Sequence, residues 1–185
     1  MVRVGLSPRA VVDAALAIVD ADGPEALTLA KVAARTGVAT PSLYKHVAGL
    51  GELRTLVSLR VLEEVGDVVT TAALGRSGDG AVAAVMHGWR RYVVDHPRRY
   101  ALLPLAPHAD PVQEAAAKRL LEVLFAVLAG YGLAGADAVH AVRRLRAAVH
   151  GFASLEAAGG FAMAEDVGTS FDGLVEMVVA SLRQP

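Results

Sequence analysis

The side chains best suited to chemistry in this sequence lie close together, between residues 28 and 46. They supply hydroxyl groups, an ammonium group and an imidazole, and they belong to Thr28, Thr40, Ser42, Tyr44, Lys45 and His46. Such groups bind phosphate oxygens, which fixes a protein's position along a nucleic acid, and hydroxyl groups also reach base edges. These residue types are suited to contacts with a nucleic acid, provided that the helices around them turn them outward.

The first of these helices is predicted to begin at Thr28, whose hydroxyl can accept a backbone N–H that has no partner within the helix. Gly37 is expected to end it in the left-handed conformation that helix C-termini often adopt. Between them, apolar residues recur at helical spacing at Leu29, Val32 and Ala33. The backbone amides at the start of this helix could also bind a phosphate.

A second short helix is predicted from Pro41 to His46. Thr40 is expected as its N-cap and Pro41 as its first helical residue, where a proline loses no hydrogen bond. Two short helices joined by a tight turn that contains glycine are typical of a helix-turn-helix. The second helix of such a pair enters the major groove of DNA. The competing interpretation is that these residues are ordinary caps and solvated polar groups; for Thr28 both can hold, and for His46 the two are evenly balanced.

The composition predicts an all-α protein with no cofactor. Apolar residues make up 54% of the 185 residues, aromatic residues only 5%, and there is no cysteine. No alternating β pattern appears, and the histidines have neither HxxxH nor HExxH spacing, so a metal site is not expected. The longest uncharged apolar stretch, 123–136, is shorter than the roughly 18 residues of a membrane span. Without a secretory signal, a cytoplasmic location is expected.

Net charge gives little support for nucleic-acid binding. The whole chain carries a formal charge of −1. Residues 1–50 contain five basic and four acidic residues, which leaves −2 on the remainder. The asymmetry has the sign that DNA requires but is small. Only the motif argues for DNA.

The rest of the chain reads as a series of amphipathic helices, about nine in all. The first is expected from Pro8, capped by Ser7, to about Asp22. The segment 75–80, GRSGDG, is predicted to be a linker. The domain boundary is expected after residue 48, with a helix-turn-helix domain at 1–48 and a larger helical domain at 49–185.

Taken together, the sequence resembles the TetR/AcrR family of bacterial transcriptional regulators. The residues TLAKVAARTGVATPSLYKHV, at 28–47, carry the resemblance. A subgroup with a His-Gly pair is similar in its C-terminal part, through His150-Gly151 and the segment 92–103. The resemblance implies a three-helix DNA-reading domain in which Leu43 faces the core. It also implies a larger domain that binds a small effector and pairs two subunits through its last two long helices.

The expected function is therefore that of a repressor. A homodimer would hold a palindromic operator in double-stranded DNA and leave it when a small apolar effector binds. One departure from the family concerns Leu50, which stands where a lysine usually contacts a phosphate; Arg54 could replace it. This keeps open a regulator that reads DNA weakly and acts through a protein partner. A helical enzyme is a more distant alternative, because no nucleophile–base pair is recognisable.

The effector pocket is expected among large side chains of the C-terminal domain. The candidates are Met86, Trp89, Tyr100, Phe125, His150 and Phe152. Pockets for small molecules are mainly apolar with a few polar groups, and Trp89 combines a large ring with one N–H. The competing interpretation, favoured for each residue taken singly, is that an apolar stripe at helical spacing is core. Gly88 and Gly151, inside predicted helices, suggest close approach of a helix or a ligand. For Gly151 the subunit interface and packing within one subunit are evenly balanced.

Overall fold

Helices are the regular elements of residues 6–104 and 110–183, the parts of the chain that this computed structural model describes. They are α1 (Pro8–Asp22), α2 (Leu29–Thr36), α3 (Thr40–Leu43), α4 (Leu50–Ala73), α5 (Gly78–Asp95), α6 (Pro97–Tyr100), α7 (Pro111–Ala129), α8 (Gly135–Ala157) and α9 (Val167–Leu182). A short 3-10 helix, Pro24–Ala26, follows α1. The predicted all-α fold of about nine helices is confirmed. None of the described helices is both long and apolar enough to cross a membrane.

The described residues fall into two compact units. Unit 1 is drawn from Met1–Glu63 and Arg98–Pro107, and unit 2 from Glu64–Pro97 and His108–Pro185. The long helix α4 therefore contributes residues to both units. The domain boundary predicted after residue 48 stays a prediction.

Unit 1 is built on α1, against which α2 and the 3-10 helix pack, and α3 packs on α2. Ser7 caps α1 as predicted, because its hydroxyl accepts the Ala10 N–H at 3.2 Å. The core of unit 1 consists of aliphatic side chains that are almost completely buried, among them Val11, Val19, Leu27, Val32 and Leu43. Short helices of this size are held mainly by such burial, since their own hydrogen bonds leave them marginal in water.

Residues 98–100 of α6 belong to unit 1, although they are distant from α1 in sequence. The Arg99 guanidinium binds both carboxylate oxygens of Asp20, at 2.7 and 2.6 Å. Arg98 donates to the backbone carbonyls of Asp20 and Ala21, near the C-terminal end of α1. Unpaired carbonyls at a helix C-terminus favour a cation, so Arg98 both caps α1 and fastens α6 to it.

Unit 2 is organised around α5, which packs against α7, α8 and α9. Trp89 on α5 and Phe171 on α9 are its largest completely buried side chains. Gly88 lies close to α4: a Cβ at this position would be 3.4 Å from the Ala72 Cβ and from a Val68 methyl. The close approach predicted at Gly88 is therefore observed. At Gly151 a Cβ would meet no described atom within 4 Å, so packing within one subunit does not explain this glycine.

A partly buried ion pair joins α5 to α8 in the same unit. The Arg90 guanidinium donates to both Glu156 oxygens at 2.6 Å each. It also lies 4.9 Å from the centre of the Phe171 ring. The hydrogen bond to Glu156 raises the pKa of Arg90, and the aromatic ring attracts the same charge. Arg90 therefore holds three helices together.

One sequence expectation is wrong in this region. The segment 75–80 was predicted to be a linker, but α5 already begins at Gly78 and takes in half of it. Gly75 and Gly78 have positive φ values, 70° and 55°, and Ser77 is the N-cap of α5. The glycines thus make a tight turn between α4 and α5 instead of a flexible connection.

Candidate nucleic-acid interface

The start of α2 has the geometry that the sequence predicts. The Thr28 hydroxyl accepts the Lys31 N–H at 3.2 Å and caps the helix. Gly37 ends it with φ 70° and ψ 26°, and its N–H bonds back to the carbonyls of Ala33 and Ala34. Thr28 is exposed, so its hydroxyl and the first amides of α2 lie at the surface of unit 1.

The helix α3 begins one residue earlier than expected and is shorter. The predicted N-cap, Thr40, is instead its first helical residue; Ala39 is the N-cap and makes no side-chain hydrogen bond. The cause is that Thr40 is helical itself, so its hydroxyl is not placed to accept from the next turn. The α-helix covers four residues, Thr40–Leu43.

The chain continues beyond α3 in hydrogen-bonded turns at residues 44–46. The N–H of Lys45 bonds to the Ser42 carbonyl at 3.4 Å, and that of His46 bonds to the Leu43 carbonyl at 2.8 Å. The Val47 N–H bonds to the same Leu43 carbonyl at 3.0 Å. The segment predicted as one helix is therefore a single α-turn followed by tighter turns.

Burial alternates sharply along this segment. The Leu43 side chain is completely buried, whereas the next residue, Tyr44, is 57% exposed. Pro41 and Lys45 are exposed as well, and Thr40, Ser42 and His46 are half-buried. One leucine thus anchors the segment while the polar candidates face solvent. We name residues 40–46 the reading segment.

The basic side chains in and near the reading segment differ in whether an acidic residue already binds them. The Lys31 ammonium group is 2.9 Å from an Asp22 oxygen, and this bond lowers the pKa of the Asp22 carboxyl. Lys45 and Arg54 are exposed and make no ion pair with a residue that the structure describes. These two cations are therefore free to bind phosphate. Leu50 is half-buried and opens α4.

The six candidate pocket residues are divided between the two units. Tyr100 is buried in unit 1, while the other five belong to unit 2. Met86 and Trp89 are at most 1% exposed and form part of the core. Phe125, His150 and Phe152 are half-buried. Burial, followed by the charge of Arg146, lowers the pKa of the His150 imidazole.

A groove that the sequence analysis missed lies between α4 and α5. Its volume is about 660 Å³, and its lining includes His87, Gly88, Arg91, Tyr92 and Asp95 from α5. None of the six candidate pocket residues is among its lining residues. The signal was present in the sequence, because His87, Arg91 and Asp95 recur every four residues and so form a polar stripe on one face of α5.

No group of three or more histidine and acidic side chains in the described ranges could hold a metal ion. The side chains described above supply hydrogen-bond donors, a tyrosine ring and cations. Such a set binds a phosphate backbone.

Two family models, both describing tetR-type regulators, match the N-terminal and C-terminal parts of the chain. The family model for bacterial regulatory proteins of the tetR family matches residues 11–46. A second model, the tetracyclin repressor-like C-terminal domain, matches residues 82–178. The first match contains α2 and the reading segment, and the second contains most of unit 2.

Similar proteins carry the names of regulators, not of enzymes. The chain is 33% identical over 183 residues to the uncharacterised HTH-type transcriptional regulator Rv0681 of Mycobacterium tuberculosis, covering 97% of this chain and 83% of that protein. It is 31% identical to the regulator YobS of Bacillus subtilis, covering 89% of this chain and 86% of the relative.

Among solved structures, the fold is similar to SCO7222, a TetR from Streptomyces coelicolor. The TM-score is 0.75 at 22% identity, covering 97% of this chain and all of that chain. At this identity the likeness concerns the fold alone. The finer expectation, a subgroup with a His-Gly pair, stays a prediction. The family itself is established: the chain belongs to the TetR family of bacterial transcriptional regulators and carries their helix-turn-helix DNA-binding domain.

Proposed function

We propose that this regulator is a repressor that acts as a homodimer on a palindromic operator in the cytoplasm. The observation that carries the proposal is the contrast within the reading segment, where buried Leu43 is followed by exposed Tyr44 and Lys45. One relative is named as a repressor: the HTH-type transcriptional repressor DrrR1 of Streptomyces coeruleorubidus, which is 32% identical to this chain over 135 residues. Its name supports repression over activation.

Different groups of the reading segment and of α2 contact different parts of the DNA. The Tyr44 hydroxyl and the Lys45 ammonium group bind phosphates and set position along the duplex. Thr40 and Ser42 reach base edges or phosphates, Pro41 brings the backbone close to the groove, and His46 adds a donor at the end of the segment. Thr28 and the first amides of α2 bind a further phosphate.

Release follows from an effector that favours a different spacing of the two reading segments. Two segments match successive major grooves only when they lie about 34 Å apart. A small apolar effector bound in residues 49–185 shifts the population towards a dimer without that spacing. The contacts proposed for the effector are the half-buried residues Phe125, His150 and Phe152 and the buried residues Met86 and Trp89.

One observation favours a second candidate function, a regulator that binds DNA weakly and acts through a protein partner. Lys31, one of five basic residues in the first 50, is already neutralised by Asp22. Leu50 offers no charge to a phosphate. A salt titration separates the two functions, since a DNA-binding dimer that contacts several phosphates loses affinity steeply as salt rises.

The decisive experiment is selection of bound fragments from random DNA, followed by titration of the selected site. A symmetric site supports the dimeric repressor, and no enrichment supports the second candidate. Tyr44→Ala is expected to weaken binding to the selected site and to unrelated DNA alike, by about tenfold, because hydrogen bonds to charged groups contribute roughly 1.5–3 kcal/mol. Tyr44→Phe keeps the ring and tests the hydroxyl. Isotherms equal to those of the parent protein would refute the role of Tyr44.

A further inference from the structure

The groove between α4 and α5 carries charges of both signs that no described side chain neutralises. Arg91 and Asp95 from α5 and Asp67 from α4 line it, and all three are exposed. None of them makes a hydrogen bond or ion pair with a described residue. Arg91 and Asp95 are four residues apart, so their Cβ atoms are about 5–6 Å from one another on one face of the helix. This face therefore offers a cation and an anion side by side.

The floor of the same groove is apolar. Val68 and Ala72 from α4 and Ala84 and Gly88 from α5 lie among its lining residues. The contact of Gly88 with Val68 and Ala72 brings the two helices close together, so the floor follows the seam between them. An apolar body that lies on these small residues would be removed from water on one side.

Ordered side chains fix the walls. The Tyr92 hydroxyl donates to Glu64 at 2.8 Å, and the His96 ring packs 5.1 Å from the Tyr92 ring. The His87 imidazole is 3.3 Å from an Asp172 oxygen and stands edge-on to Phe171. A preformed wall lowers the entropy that binding must offset.

We propose that this groove binds a small zwitterion with an apolar body, a molecule of the amino-acid class. Arg91 binds the carboxylate, Asp95 and Asp67 bind the ammonium group, and the apolar body lies on the floor formed by Val68, Ala72, Ala84 and Gly88. A ligand of one sign would be repelled either by Arg91 or by the two carboxylates, Asp67 and Asp95, whereas a zwitterion satisfies both signs. The site is separate from the pocket proposed above and does not depend on DNA binding.

The test uses three probes that share one apolar body. L-phenylalanine has both charges, 3-phenylpropionate has only the carboxylate and 2-phenylethylamine has only the ammonium group. Calorimetric titration of the full chain without DNA is expected to show that L-phenylalanine binds at least about tenfold more tightly than either single-charge probe, a difference of about 1.4 kcal/mol. Equal affinities for the three probes, or no heat with L-phenylalanine at millimolar concentration, would overturn the proposal.

Substitutions then assign the two charges. Arg91→Gln is expected to raise the Kd for L-phenylalanine about tenfold or more and not to raise the Kd for 2-phenylethylamine, because the substitution removes only a like charge from that ligand. The double substitution Asp67→Asn with Asp95→Asn is expected to do the converse, sparing 3-phenylpropionate.

Lys118→Gln and Glu122→Gln are the matched controls, because both residues are exposed on α7 and neither lines the groove. Circular dichroism checks that each variant is folded. An unchanged Kd for L-phenylalanine in folded Arg91→Gln would overturn the assignment. Because no DNA is present, failure here leaves the proposed repressor function untouched, and failure of DNA binding leaves this site untouched.

Discussion

The two units of this regulator place their candidate residues differently. In unit 1 the residue that stabilises the reading segment, Leu43, and the residues expected to touch DNA, Tyr44 and Lys45, are neighbours with opposite burial. In unit 2 the best single candidate for ligand contact, Trp89, is itself the largest buried side chain. In unit 1 the buried anchor and the residues proposed to bind are thus different residues, whereas in unit 2 the residue proposed to bind is itself buried in the core.

The difference follows from helix length. A four-residue helix such as α3 needs only one buried anchor, so its other positions remain available for a partner. A helix of 18 residues such as α5 buries a continuous stripe on several neighbours, and each large side chain in that stripe belongs to the core. Substitutions at the exposed positions of the reading segment can therefore be read as effects on binding, whereas those in the stripe of α5 cannot.

The largest expected effect is that of Trp89→Ala. The side chain is 1% exposed, and removing a buried tryptophan costs about 3–5 kcal/mol of unfolding free energy. Tyr44→Ala, at an exposed position, is expected to change the same quantity by less than about 0.5 kcal/mol. Urea denaturation followed by circular dichroism measures both. Similar losses for the two variants would remove the contrast between the units.

Much of unit 1 could be predicted from the sequence because its signals are local. Ser7, Thr28 and Gly37 cap their helices as expected, since a cap depends on residues only three or four positions away. Thr40 failed as an N-cap because the helix takes in the residue itself, and helix ends are uncertain by one or two residues. The exposure of Tyr44 could be inferred only through the resemblance to the family.

Unit 2 was less predictable because its features depend on contacts between distant residues. The stripes of α5 and α9 were visible, but periodicity does not distinguish a core residue from one that lines a pocket, as Trp89 shows. Tyr100 was a pocket candidate as one of the large side chains of residues 49–185, and it is buried in unit 1. The groove was missed because Asp67 and Arg91 come from two helices that had to be paired first.

A second prediction compares two helix caps in unit 1. Thr28→Ala and Ser7→Ala each remove a hydroxyl that accepts a backbone N–H at 3.2 Å. Each is expected to cost about 1 kcal/mol of unfolding free energy. Only Thr28→Ala is expected also to weaken DNA binding, by a fewfold, because Thr28 stands at the proposed phosphate contact. Denaturation and DNA titration of both variants measure the two effects separately.

Ser7 is the control in that pair, since it differs from Thr28 in its place on unit 1 and not in its chemistry. Thr28→Ser should recover both stability and affinity, because serine caps as well as threonine. Equal loss of DNA affinity in Ser7→Ala and Thr28→Ala would mean that the affinity follows stability alone. Thr28 would then be a cap without a contact of its own.

The smallest effect expected concerns pH and again separates the units. In unit 1 the hydrogen bond from Lys31 lowers the pKa of the Asp22 carboxyl from 3.8. Protonation of Asp22 therefore affects stability only in acid. In unit 2 burial lowers the pKa of His150 from the ordinary value of 6.5. The unfolded chain therefore takes up a proton before the folded one does, and stability falls as the pH drops below 6.5 and on through the folded pKa.

His150→Gln should flatten this dependence, measured as denaturation midpoints at roughly pH 7.5 and pH 5.5. His140→Gln, at an exposed position on the same helix, should not, and equal slopes in the parent chain and His150→Gln would show that burial of this imidazole has no effect on stability.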